Sequence, residues 1–157
     1  MSDEPLAYPL TFSRRVFFGD CDPAGVVFTP NYGRYVFDAC EQWLRRVLDI
    51  DIADQLKNDE IGTPVRAITT ELLYPLKPSD DFEVSVWVKD IGRSSFTLRA
   101  IGANSRGRRC FVGDMTCVST LRLKRAVVEL PGHYRRAMQD YQDRSGSWEA
   151  APAPHGT

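Results

Sequence analysis

The sequence predicts an α+β domain on three observations: one stretch of helical period beginning near residue 30, a change to period two after residue 63, and short turns between the strands that follow. Residues 11–19 read as a first strand, rich in aromatic and branched side chains and ending at Gly19. Thr29-Pro30 announces a helix, with Thr29 as N-cap and Pro30 at the first helical position, where a missing N–H costs nothing. Apolar residues then recur at Tyr32, Tyr35, Val36, Ala39, Trp43 and Val47, one buried helical face, while Arg34, Asp38, Glu41, Arg45 and Arg46 take other positions. The expected helix spans 30–48. Residues 64–74 form a strand closed by Pro75 and Pro78. Val84, Val86 and Val88 then alternate with Ser85, Trp87 and Lys89, Gly92 precedes a strand at 95–103, and Gly107 precedes one at 109–124. These three strands form an antiparallel meander. Residues 131–141 make a short terminal helix, and 144–157 read as a disordered tail outside a single domain at 1–143. Only one long helix is available to cover a sheet face, and the margins of the sheet stay unpaired, so the domain is expected to pair with itself.

Composition narrows the function classes. With 157 residues, 43% hydrophobic and 26% charged, the chain has the material for one ordinary core and is not intrinsically disordered. A net charge of −1 gives no global attraction to nucleic acid or to an anionic membrane. Between residues 93 and 125, however, eight basic side chains (Arg93, Arg99, Arg106, Arg108, Arg109, Arg122, Lys124 and Arg125) face Asp114 alone. That segment is either a solvated face or a binding region for a polyanion. No apolar run approaches the ~20 residues of a membrane span, and the first ten residues are acidic, so a cytoplasmic protein is expected. Cys21, Cys40, Cys110 and Cys117 show no Cys-x-x-Cys spacing and only His133 and His155 could complete a metal set, which points to reduced thiols and no metal.

Inventory removes several chemistries. The chain has no Gly-x-Ser-x-Gly elbow, no phosphate-binding glycine loop, no dinucleotide fingerprint and no His-Glu-x-x-His helix. Catalysis in so histidine-poor a chain must lean on carboxylates. The informative stretch is FFGDCDPAGVVFTPNYGRY at 17–35, where Asp20 and Asp22 flank Cys21 in a loop shaped by Pro23 and Gly25. Seven residues after Asp22 the helix begins. Its N-terminus presents unpaired N–H groups and a positive dipole end that would stabilise an oxyanion. A carboxylate beside it can attack an activated acyl carbon or deprotonate a water that does. Asp-Pro-x-Gly is also an ordinary turn in which either Asp serves only as an acceptor.

FGDCDPAGVVF followed by PNY closely resembles the signature of the 4-hydroxybenzoyl-CoA thioesterase family of hotdog-fold enzymes, and EIGTP at 60–64 and the stretch at 79–96 look similar too. The likeness runs from about Phe12 to Tyr134. It implies a hotdog fold, a central helix wrapped by a five- or six-stranded antiparallel sheet, two protomers joined edge to edge, and usually a dimer of dimers. Carried over by position, Asp22 matches the catalytic carboxylate, a nucleophile or general base, and the backbone N–H of Thr29 matches the donor to the thioester carbonyl. Asp20 fixes the loop. Gly25, Phe28, Pro30, Tyr32, Gly62, Thr63, Arg93, Ser94 and Arg125 complete the implied substrate-binding set, the arginines for CoA phosphates. The chain departs from the family at Phe28-Thr29, where a Trp-Tyr pair is usual, at Gly33, where His is usual, and around Arg93, whose neighbours are Gly92 and Ser94 rather than basic residues. The expected activity is hydrolysis of an aromatic or short acyl-CoA without a cofactor, in a homodimer or homotetramer. A Tol-Pal-associated type of short-chain thioesterase and a non-catalytic hotdog protein that binds acyl-CoA or an acyl carrier are the alternatives.

Overall fold

The computed structural model describes residues 6–55 and 61–151. Strand β1 (Leu10–Arg15) leads through a loop to helix α1 (Pro30–Val47), and a short turn of helix, α2 (Ile52–Gln55), follows. Next come β2 (Ile61–Gly62), β3 (Val65–Leu72), β4 (Asp81–Ile91), β5 (Ser95–Asn104), β6 (Arg109–Val118), β7 (Thr120–Leu121) and β8 (Ala126–Val127), and then helix α3 (Gly132–Ser145). Five strands form one antiparallel sheet in the order β1-β4-β5-β6-β3, and β2, β7 and β8 make a small second sheet. The meander β4-β5-β6 is as the alternation predicts, and α1 lies within a residue of its expected span. This is the long helix against a five-stranded sheet that the resemblance implies.

Helix α1 buries the face read from its periodicity, from Tyr32 through Trp43 to Leu44, against Phe82, Val84, Val86, Phe96, Leu98, Phe111, Met115 and Cys117 of the sheet. The closest approach is at Gly113 in β6. A Cβ built there would stand 2.2 Å from Val36 Cγ2 and 3.0 Å from the Thr69 carbonyl oxygen, so the absence of a side chain sets how near the helix can lie.

Four expectations are corrected. The first strand ends at Arg15 rather than Gly19, because Asp20 draws residues 18–20 into a 3-10 turn. The strand expected at 109–124 breaks at Ser119, which is fully buried. Its N–H donates to the Ser94 carbonyl at 2.7 Å, which diverts the chain into the small sheet. Thr29 makes no side-chain capping bond and already has helical angles of −45° and −46°. Finally, α3 runs through residue 145 and stops at Gly146 (φ 65°), and residues 147–151 turn back onto the sheet face away from α1. There Arg99 stacks on Trp148 at 4.1 Å, and Arg109 donates to the Ala151 carbonyl. The expected tail at 144–157 is therefore ordered as far as residue 151; 152–157 lie outside the described residues.

On the same outer face Arg99 binds Asp114 through two hydrogen bonds of 2.8 Å, and Lys89 adds a third at 2.6 Å. Burial alone would raise the Asp114 carboxyl, but the bonds from Arg99 and Lys89 outweigh it and hold the group below its ordinary value. A carboxyl lowered in the folded state contributes stability above its unfolded pKa of ~3.9 and loses it as the pH falls through the lower folded value. Asp114→Asn should therefore cost about 1–3 kcal/mol in urea unfolding at pH 7, and the gap from wild type should narrow as the pH falls below the ordinary carboxylate value. Gly113→Ala should lose about 1–3 kcal/mol by lifting α1 from the sheet. An unchanged urea midpoint for that variant would mean the approach at Gly113 is not limiting.

Candidate active site

Residues 16–28 fold back on themselves where β1 ends and β4 begins. Val16 is pinned from both sides: its N–H donates to the Asp80 carbonyl and its carbonyl accepts from Ser79 N–H, each at 2.9 Å. In the 3-10 turn, Asp20 Oδ2 accepts the Phe17 N–H at 3.0 Å. Cys21 then pairs with Val27 as an isolated antiparallel bridge. Within that bridge Asp22 N–H donates to Val26 O at 2.9 Å, Gly25 N–H donates to Asp22 O at 3.0 Å, and Asp22 Oδ1 accepts the Ala24 N–H at 2.9 Å. Gly25, at φ 77°, takes a left-handed conformation that glycine adopts without strain. So the Asp-Pro-x-Gly segment is indeed a turn, and Asp22 uses one carboxylate oxygen to close it. Among the described residues no hydrogen bond engages its Oδ2.

The same loop runs directly into α1. Val27 N–H donates to Leu76 O and Phe28 N–H to Asp20 O, both at 2.9 Å. Asn31 N–H bonds to Phe28 O at 2.8 Å and Tyr32 N–H to Thr29 O at 3.2 Å, and Pro30 has no N–H. The Thr29 N–H has no acceptor among the described residues. Asn31 adds a second tie, its side-chain amide donating to the Asp20 carbonyl at 2.8 Å. A carboxylate and a free backbone donor at a helix N-terminus thus belong to one closed loop. Cys21 does not compete as nucleophile, because burial and then the carboxylates of Asp20, Asp22 and Asp80 raise its thiol above the ordinary value.

The residues expected at a site separate into two groups. Asp22, Gly25, Phe28, Thr29 and Pro30 share this end of the sheet. Tyr32 does not line it: the side chain is 2% exposed, packs on Tyr35 and Phe111, and its hydroxyl accepts the Leu76 N–H at 3.2 Å. It is a core residue that steadies the segment holding Val27. Gly62, Thr63, Arg93, Ser94 and Arg125 stand at the opposite end, around the β4–β5 turn and the β7–β8 hairpin, a strand length or roughly 30 Å away. The basic segment is split as well. Arg99 belongs to the outer face, Arg106 and Arg108 to the β5–β6 turn, and Arg93 pairs with Glu129 at 2.6 Å in an exposed ion pair. Sequence reasoning passed over Phe17 and Phe18, which stand 65% and 87% exposed beside the loop. Their signal was two adjacent large apolar residues at a strand end, where alternation allows only one to face the core.

A profile of the thioesterase-like superfamily matches residues 16–138. The chain is 28% identical over 103 residues to a 4-hydroxybenzoyl-CoA thioesterase of Pseudomonas sp. strain CBS-3, covering 60% of this chain and 67% of that one. It is 26% identical over 137 residues to a 1,4-dihydroxy-2-naphthoyl-CoA hydrolase of Thermosynechococcus vestitus, covering 85% and 93%. Among solved structures, a gentisyl-coenzyme A thioesterase superposes with a TM-score of 0.70 at 28% identity, over 82% of this chain and 98% of that one. With a match across most of its length and the same helix-on-sheet plan, the chain belongs to the thioesterase-like superfamily and has its hotdog fold.

Proposed function

We propose that this protein hydrolyses an acyl-CoA thioester, with an aromatic or short acyl group, to the free acid and CoA in the cytoplasm, with no cofactor. The observation that carries the reading is the coupling of Asp22 to the Thr29 N–H through one closed loop. A thioester carbonyl oxygen seated at Thr29 is polarised by that N–H and by the dipole of α1. Asp22 then attacks the carbonyl carbon, or takes a proton from a water that attacks it. Either route forms an oxyanion at the same donor, and its collapse breaks the C–S bond and releases CoA as thiolate, which takes up a proton. On the first route water hydrolyses the resulting anhydride on Asp22 and restores the carboxylate. The named substrates of the relatives are CoA thioesters of aromatic acids. Exposed Phe17, Phe18 and Phe28 offer rings against which such a group can stack.

The two groups of expected residues come together in a homodimer. Strand β3 is one edge of the sheet, exposed along its whole length and carrying Val65, Ile68 and Leu72. Antiparallel pairing of β3 with β3 of a second copy about a twofold axis sets the Leu72 end of one protomer beside the Val65 end of the other. The Asp22 loop then lies next to the second copy's Gly62 and Thr63, with Arg93, Ser94 and Arg125 beyond them for the CoA phosphates. Two such dimers would make the homotetramer that the resemblance implies.

Asp22→Asn is nearly isosteric and keeps the oxygen that closes the turn. It should stay folded and lose at least about a hundredfold in kcat on 4-hydroxybenzoyl-CoA. Wild-type turnover in this variant would sink the proposed chemistry. Single-turnover hydrolysis in oxygen-18 water then tests the nucleophilic route: when water opens the anhydride at the Asp22 carbonyl carbon, the first acid released carries an unlabelled oxygen from Asp22, an outcome that a water activated by Asp22 cannot give. Sedimentation at micromolar concentration should show a dimer or larger species, and a monomer would overturn the composite site. Arg93→Ala should raise KM with kcat unchanged, and lose that effect on dephospho-CoA thioesters if the 3′-phosphate is its partner.

A further inference from the structure

Tyr35 lies one helical turn beyond Asn31 on α1, so the two side chains leave the same face. Asn31 reaches the Asp20 carbonyl, while the Tyr35 ring is buried against Phe82, Tyr32 and Phe111, with the Arg14 guanidinium 4.5 Å from its centre. Tyr35 is 1% exposed, and its hydroxyl has no hydrogen-bond partner among the described residues. A buried hydroxyl in that condition is unfavourable unless it serves another state of the protein. The carboxylate that acts most strongly on it is that of Asp20. Burial and then the Asp20 carboxylate push the Tyr35 hydroxyl up, so it keeps its proton through neutral pH and remains a donor. Asp20 is already the hub of the loop: Oδ2 accepts from Phe17 N–H, and its carbonyl accepts from Phe28 N–H and from Asn31. No hydrogen bond engages its Oδ1 among the described residues.

We propose that Tyr35 is a positioning residue for the catalytic loop: in the substrate-bound protein its hydroxyl donates to Oδ1 of Asp20 and ties the loop to the body of α1. The tie fixes the distance between the Asp22 carboxylate, two residues after Asp20, and the Thr29 N–H, which follows the Phe28 that donates to Asp20. Hydrogen bonds at catalytic loops are often long in the free protein and tighten on the substrate. An unfilled donor near an unfilled acceptor is the arrangement that such tightening requires. The kinetic consequence rests on the thioesterase reading, whereas the Tyr35–Asp20 bond itself does not.

Tyr35→Phe removes the hydroxyl and keeps the ring, so the aromatic packing survives. With 4-hydroxybenzoyl-CoA as substrate the variant should lose about tenfold in kcat with KM unchanged, the signature of an interaction that counts in the transition state. Urea unfolding of wild type, Tyr35→Phe, Asp20→Ala and the double variant, each saturated with CoA, completes a cycle that needs no turnover; Asp20→Asn replaces Asp20→Ala should the latter not fold. The double variant should change the unfolding constant at least fivefold less than the product of the two single changes. Multiplicative single effects, or a Tyr35→Phe protein at least as stable as wild type with unaltered kcat, would overturn the proposal and leave the hydroxyl as an unsatisfied core group. A wild-type protein inert on the thioester would overturn the hydrolase reading instead, and the cycle would still decide the bond.

Discussion

Helix α1 covers one face of the five-stranded sheet together with α3, whose Met138 and Tyr141 join the same core, and the placement of the candidate site follows from how α1 is seated. Val36 rests against the bare backbone of Gly113, so α1 lies close enough for Trp43 and Tyr35 to be enclosed completely. Once that depth is set, the N-terminus of the helix must emerge at the end of the sheet where β1 stops and β4 starts. The loop between β1 and α1 has only residues 16–29 in which to return, and it does so by pairing with itself and with the 76–80 segment. Placement of Asp22 is thus a consequence of helix packing. A shift of the helix would move the carboxylate and the Thr29 N–H together, because Asp20 and Asn31 bind them into one unit.

Local chemistry was legible in the sequence wherever the information was local. Thr-Pro marked the start of α1 to the residue, three alternating valines marked β4, and Asp-Pro-x-Gly marked the turn at Asp22. The resemblance of GDCDPAG then told which carboxylate to favour, something spacing left open. What escaped depends on contacts distant in sequence. Tyr32 enters the substrate-binding set through the resemblance, although its helical period puts it on the buried face, and the structure turns it inward to Leu76, forty-four positions away. The cluster of basic residues looked like one patch because they are neighbours along the chain. Antiparallel strands with turns at opposite ends distribute such neighbours over both ends and one face, and only pairing data reveal which goes where.

The carboxyl-terminal segment shows the same lesson on the outer face. Gly, Ser and Ala suggested a tail without structure, but Trp148 supplies an aromatic face to Arg99, and Arg99 is held flat by its fork on Asp114. A guanidinium so fixed loses little further freedom when it stacks, which favours order in a segment of otherwise weak propensity. Trp87, paired across the strands with Arg99, and Ile101 are buried on this face although they point away from α1.

The proposed chemistry uses neither histidine nor thiol, and the geometry allows that. A histidine base is valuable where a neutral nucleophile must be deprotonated. In the proposed mechanism the anionic oxygen is Asp22's own, and the developing charge would be met by a backbone N–H that needs no particular side chain. The tyrosine that the resemblance puts at position 29 can therefore be threonine without loss of the donor, since that amide is free because it stands at the N-terminus of α1, where no preceding carbonyl among the described residues accepts it, and not because of the residue's own chemistry. Side chains at positions 28 and 29 are then released to shape what surrounds the acyl group. Phe28, whose backbone is fixed at both its N–H and its carbonyl, holds its half-exposed ring beside the start of α1, next to the proposed site. On the proposed reading, reaction and selectivity rest on different parts of this segment, backbone for one and side chain for the other.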